Sequence, residues 1–309
     1  VREGNRTVRL YLSGVAGPAE ADMLRAASDF GPAVRYVLAD PTDWPNVAEG
    51  ATGADWGLAL DSGAYRAWKR GGGALDIPGY LRLAGSLCAS PDSSTRPDFC
   101  VAPDIIGDPE RTRADWLAIP AGLRVACRLA PVWHWGADDA LLSAYLDECP
   151  PGVPVCVGAL VPAMRARDRG MLRSLRALCS RQPGRLHLLG ANWVEALEAV
   201  APLAASADTS KWLDGARYGN LLVPDAGRLR ELPARLAAGL LPHRPDLAGC
   251  ESWDRPRRCA FNAGAMSGTF GGRPASGRRG ERPKSPPWPS GTPTRRRSPV
   301  NRGIRWTVE

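Results

Sequence analysis

Up to about residue 245, apolar residues fall into two alternating kinds of segment. Short continuous runs at 8–12, 34–39, 57–60, 99–102, 129–133, 153–157, 186–189 and 203–207 read as strands buried on both faces. Between them lie segments with apolar residues near every third or fourth position, at 19–28, 80–89, 109–117, 138–148, 164–180 and 193–200, with a last one at 226–238. These read as helices. In 164–180, Met164, Met171, Leu172, Leu175 and Leu178 keep a near-helical repeat. Pro109 behind Asp108 has the form of a first-turn proline after a carboxylate cap, and Asp40, also ahead of a proline, reads as a turn former. Strand–helix alternation implies a parallel sheet. Eight units in about 240 residues fit a (β/α)8 TIM barrel, whose usual size is roughly 250. An open doubly wound sheet would carry the same alternation. The expectation is an α/β chain with the barrel domain at 1–245.

Residues 246–309 differ in kind. Gly, Pro, Ser and Arg dominate from Glu251 onward, and few aliphatic residues remain to build a core, which predicts a disordered tail. The formal charge of +8 divides unevenly: residues 251–309 carry +9 and residues 1–250 carry −1. The basic character therefore belongs to the tail, either as an arm that adds salt-dependent affinity for nucleic acid or as an inert extension. No apolar stretch reaches the roughly 18–20 residues of a membrane span, and the N-terminus has no apolar secretory segment. A cytoplasmic protein is expected. The eight cysteines are scattered without a C-x-x-C pair, as small hydrophobes in a reducing compartment would be. Cys250, Cys259 and His243 fit no common zinc spacing. No metal or cofactor is expected.

Three strand-like runs lead into carboxylates: Leu58-Ala-Leu-Asp61-Ser-Gly-Ala-Tyr65, Phe99-Cys-Val-Ala-Pro-Asp104 and Ala205-Ser-Ala-Asp208-Thr-Ser-Lys-Trp212. Strand ends far apart in sequence meet at the mouth of a barrel, so the three carboxylates are candidates for one site. Such a cluster suits Mg²⁺-assisted phosphoryl chemistry, glycosidic hydrolysis by an acid and nucleophile pair, or exchange of a group at an anomeric carbon. The surroundings of Asp61 favour the last. Ser62 and Gly63 let a flat ligand approach the main chain, and Tyr65 can stack on it.

Asp61-Ser-Gly-Ala-Tyr65 resembles the D-S-G-G-[FY] segment of the tRNA-guanine transglycosylases and of their relatives that insert 7-deazaguanines into DNA. Ala102-Pro-Asp104, Pro131-Val-Trp-His-Trp-Gly136, Val157-Gly-Ala-Leu160, Leu186-His-Leu-Leu-Gly190 and Ser206-Ala-Asp208 follow in the family's order, so the resemblance spans about 57–215. Each motif alone is weak; six in order are specific. The resemblance implies that Asp208 attacks the sugar C1′ and forms a covalent glycosyl-enzyme, while Asp61 serves as general acid and base. It implies that Asp104 accepts hydrogen bonds from the base, that Tyr65 and Leu189 sandwich it, and that Gly158 offers backbone amides to its carbonyl. His134 stands near a glutamine of the family and is a departure. The family's C-x-C-x-x-C…H zinc site is a second departure, for after Asp208 only Cys250 and Cys259 occur. Its loss points to the DNA-modification branch.

The expected activity is exchange of guanine in nucleic acid, DNA in preference to tRNA, for a 7-deazaguanine such as 7-cyano-7-deazaguanine, with partner proteins of a DNA-modification system. Two alternatives stand beside it: a glycoside or nucleoside hydrolase with Asp61 and Asp208 as its pair, and a non-catalytic nucleic-acid-binding protein using a degenerate barrel and the basic tail. Arg165-Ala-Arg-Asp-Arg169 reads as a solvated helix face or as contacts to a nucleic-acid backbone. His187 reads as a satisfied core residue, and Trp133, Trp135 and Trp212 as packing or mouth-lining aromatics.

Overall fold

The computed structural model describes residues 8–51, 54–71, 75–226, 228–241 and 243–270. The main sheet is built from β1 (Arg9–Ser13), β2 (Tyr36–Ala39), β3 (Gly57–Leu60), β4 (Pro97–Val101), β5 (Leu129–Ala130), β6 (Val132–His134), β7 (Val155–Gly158), β8 (Leu186–Leu188) and β9 (Ser206–Thr209). Its order is β5-β4-β3-β2-β1-β9-β8-β7-β6, and every pairing is parallel. The two edges, β5 and β6, are separated only by Pro131. Proline has no N–H to continue a ladder, but the Pro131 carbonyl accepts from the Cys156 amide at 2.8 Å. The sheet thus rolls into a TIM-type barrel in which β5 and β6 share one of eight strand positions.

Alternation along each strand sorts its side chains. Tyr11, Leu38, Ala59, Phe99, Val101, Ala130, Val132 and Cys156 fill the barrel interior. Tyr11, Phe99 and the His187 ring pack edge to face there, with centroids 5.1–5.8 Å apart. The intervening residues, including Leu10, Leu12, Val37, Leu58, Leu60 and Cys100, face the surrounding helices in a larger core. This two-sided burial is why the strands read as unbroken apolar runs.

Four expectations need correction. The segment 164–180 is two helices, Val161–Ala166 and Arg169–Arg181. Arg167 takes a left-handed conformation (φ 52°), and Asp168 caps the second helix by accepting from the Gly170 and Met171 amides at 2.7 and 3.1 Å. The cap interrupts the helix without disturbing the apolar repeat. The segment 226–238 holds an antiparallel hairpin of β10 (Asn220–Asp225) and β11 (Arg228–Pro233) before the helix Ala234–Leu240. Leu221, Leu222 and Val223 are fully buried in that hairpin, and Pro233 precedes the helix as its cap.

The run at 203–207 is shifted: β9 starts at Ser206, so Asp208 lies inside a strand, opposite Tyr11. Finally, the domain boundary belongs near 270 instead of 245. The helix Arg255–Phe270 packs against Pro18–Ala26 and Lys211–Arg217, with Cys259, Phe261, Asn262, Met266 and Phe270 buried. Its small residues permit close approach. A Cβ on Gly264 would stand 2.6 Å from the Ala27 carbonyl oxygen. A composition poor in aliphatics concealed a helix that packs through small residues. The remainder of the expected tail, 271–309, lies outside the described residues.

Candidate active site at the barrel mouth

The strands of the main sheet all run the same way, so their C-terminal ends share one rim. Asp61 is the first residue after β3, Asp104 follows β4 by three residues, His134 and Gly158 end β6 and β7, Leu189 follows β8, and Asp208 lies within β9. Asp104 and Asp208 are buried, with 7% and 5% exposure; Asp61 is half-buried.

Asp104 anchors a connected group. Its Oδ1 accepts from the Ser62 hydroxyl at 3.1 Å and its Oδ2 lies 3.4 Å from His134 Nε2. His134 is buried, and its Nδ1 has no hydrogen-bond partner among the described residues. Gly158 lies against the same imidazole: a Cβ there would sit 2.9 Å from Val132 Cγ1, 3.5 Å from His134 Cδ2 and 3.9 Å from Leu189 Cδ1. Any larger residue would crowd this corner. Gly63 has a φ of 78°, a conformation in which side chains are strained. It turns the chain from β3 into the helix Ala64–Lys69, with Ser62 Oγ accepting from the Ala64 amide at 3.2 Å.

Asp61 bears the main electrostatic feature. Burial, then the charges of Asp208, Asp104 and Asp40, push its carboxyl up to about 7, against an opposing hydrogen bond from the Ser62 amide. That bond, to Oδ1, is 2.7 Å long. Each cause disfavours the carboxylate, as desolvation and like charges must. Asp40 accepts from the Thr42 amide at 2.9 Å, as expected of a turn former, and pairs with Arg66 Nε at 3.0 Å. Asp108 accepts from the Arg111 amide at 2.9 Å as the cap of its helix.

Asp208 is held differently. Its Oδ1 accepts from the Gly190 amide at 2.9 Å and lies 3.5 Å from His187 Nε2. No hydrogen bond among the described residues engages Oδ2. His187 is fully buried, with Nδ1 2.8 Å from Ser206 Oγ. Ser206, His187 and Asp208 form a hydroxyl–imidazole–carboxylate row, yet Ser206 is itself fully buried, so its oxygen cannot act on a substrate. The sequence reading of His187 as a core residue missed this adjacency. The available signal was a histidine two residues before Leu189, on the inward face of an otherwise apolar strand.

The structure thus gathers Asp61, Ser62, Asp104, His134, Gly158, Leu189 and Asp208 at one end of the barrel. Tyr65 stands further out, exposed at the rim, where its hydroxyl accepts from Arg165 Nη2 at 3.4 Å. Trp133 and Trp212 are buried packing residues, their indole N–H groups bonded to the Asp138 and Ser13 carbonyls. A cleft of about 340 Å³ lined by Trp133, Trp135, Asp139, Ser174, Leu178 and Arg181 includes none of Asp61, Asp104 and Asp208.

Cys250 donates to the Ala234 carbonyl at 3.1 Å, and His243 lies 3.7 Å from Asp225. Among the described residues no group of three or more His, Cys, Asp and Glu side chains is placed to hold a metal ion. No helix among them is long and apolar enough to cross a membrane. No protein-family model matches the chain, and no curated protein matches it.

Proposed function

We propose that the chain is a nucleic-acid guanine transglycosylase that exchanges guanine for a 7-deazaguanine base, with DNA as the polymer. The observation that carries this reading is the state of Asp61: a carboxyl raised to about 7 beside Asp208 and Asp104. Base exchange needs one group that gives a proton in the first half-reaction and takes one in the second. A carboxyl that titrates near neutrality does both.

In the first half-reaction, the unengaged oxygen of Asp208 forms a bond to the sugar C1′ while the C1′–N9 bond breaks. Protonated Asp61 supplies a proton to the departing guanine. In the second, the Asp61 carboxylate takes the N9 proton of the incoming deazaguanine, N9 bonds to C1′, and Asp208 leaves. Asp104 receives the donor edge of the base, a role suited to a carboxylate that only accepts. Leu189 and Gly158 shape the slot for its flat ring, and Tyr65 covers it from the rim.

The test is incubation of the protein with guanine-containing DNA or tRNA and 7-cyano-7-deazaguanine, followed by mass spectrometry of the released nucleosides. Deazaguanosine in DNA, absent with Asp208→Ala, is expected. Incorporation into tRNA alone would overturn the choice of polymer, and release of free guanine without incorporation would replace the reading with a hydrolase.

A further inference from the structure

The rim of the mouth carries an aromatic and cationic surface of which the exchange chemistry uses only Tyr65. Trp68 is 53% exposed, and among the described residues it is the only exposed tryptophan. Its ring lies 5.8 Å from that of Tyr65, centroid to centroid, tilted by 30°. Tyrosine and tryptophan side by side in water forgo the burial that ordinarily stabilises a fold through such residues. Lys69 stands four residues after Tyr65 and so on its face of the short helix.

Arg165 completes the surface from the other side. It belongs to the helix after β7, whereas Tyr65 follows β3, and β4 and the β5–β6 strand position lie between those strands in the sheet. The Tyr65–Arg165 contact therefore spans the rim above the strands that lead to Asp104 and His134. Arg165 and Lys69 have no carboxylate partner among the described residues, unlike Arg66 on the same helix as Lys69, which is committed to Asp40 and Asp43.

We infer that Tyr65, Trp68, Lys69 and Arg165 form a track for a single-stranded polynucleotide, holding the nucleotides that flank the one in the mouth. Trp68 stacks on a neighbouring base, a contact any base can make through its π-face. Arg165 and Lys69 hold the adjacent phosphates, with Arg165 exchanging the weak 3.4 Å bond to the Tyr65 hydroxyl for a charge-assisted one. The choice of a polynucleotide rests on the transglycosylase reading; the charge, the exposed ring pair and their place at the rim supply the rest.

The experiment is fluorescence anisotropy of the full-length protein with labelled oligo-dT and oligo-rU over a salt series, for wild type, Trp68→Ala and Arg165→Ala. Using the full chain keeps the contribution of residues 271–309 common to all three. Trp68→Ala is expected to weaken binding by about tenfold with little change in salt dependence. Arg165→Ala is expected to lower the slope of log affinity against log salt by about 0.7, the loss of one phosphate contact on a single strand. Melting temperatures should match wild type, since both side chains are exposed. These losses with either strand support the track, and the tighter strand identifies the sugar.

Affinities within twofold of wild type for both variants would overturn the inference, as would equal, Trp68-independent binding of inorganic polyphosphate. The two readings fail separately. Weakened binding without base incorporation keeps the track and sinks the transglycosylase, while incorporation with unaltered binding does the reverse.

Discussion

Asp61 is a carboxyl group whose charge the site opposes through burial and through Asp208, Asp104 and Asp40. The consequence for stability has a definite sign. Folding raises the group from an ordinary carboxyl value to about 7, so between about pH 4 and 7 the folded state binds more protons than the unfolded one. Stability from this group is fully present below pH 4 and is lost as pH rises through 7. Asp61→Asn should remove that slope and leave the variant more stable than wild type at pH 8, by on the order of 2 kcal/mol in denaturant unfolding. Equal pH dependence of the two proteins would show that folding does not raise the Asp61 carboxyl. The same protonation sets the working range of the proposed exchange, which should be fastest near neutrality and fall above pH 8 as the acid form disappears.

At the scale of elements, the sheet was legible in sequence because its strands are buried on both faces and interrupted by helices of clear period. Gly57–Leu60 has the limits its apolar run implies, and the carboxylates at the mouth could be placed from strand ends alone. What the pattern could not carry were features set by polar contacts or by small residues. The Asp168 cap, which breaks one expected helix in two, leaves the apolar spacing intact. The histidine beside Asp208 looked like core because it is core, fully buried among Tyr11 and Phe99.

The helix Arg255–Phe270 was hidden by its Gly, Ala and Ser content, although it carries a decisive polar residue. Asn262, fully buried, accepts from the Leu222 amide at 2.7 Å and donates to the Trp212 and Asn220 carbonyls at 3.3 and 3.2 Å. It ties the helix to the hairpin and to Lys211–Arg217. Asn262→Ala would strand a buried amide and two carbonyls, so a loss of about 1–3 kcal/mol is expected in urea unfolding. A change under 0.5 kcal/mol would mean that the helix is held by apolar packing alone.

For the molecule as a whole, the location of the charge and the location of the fold now separate. Residues 271–309 contain ten Lys/Arg and two Asp/Glu, while among the described residues the barrel and its last helix share one packed core. A chain ending at 270 should therefore melt as the full chain does. One ending at 254 should lose its cooperative transition, because it would remove Phe261 and Met266 and uncover the helices they pack on. Cooperative melting of the shorter chain would contradict the placement of the boundary. The larger claim is that the carboxylates gathered at one end of this barrel divide the work of base exchange, with Asp208 attacking. Its most direct test is intact mass measurement of the protein after incubation with a guanine-containing oligonucleotide and acid quenching. A protein–oligonucleotide adduct lighter by one guanine, present in wild type and absent in Asp208→Ala, is the predicted result. An adduct formed equally well by Asp208→Ala would contradict the account.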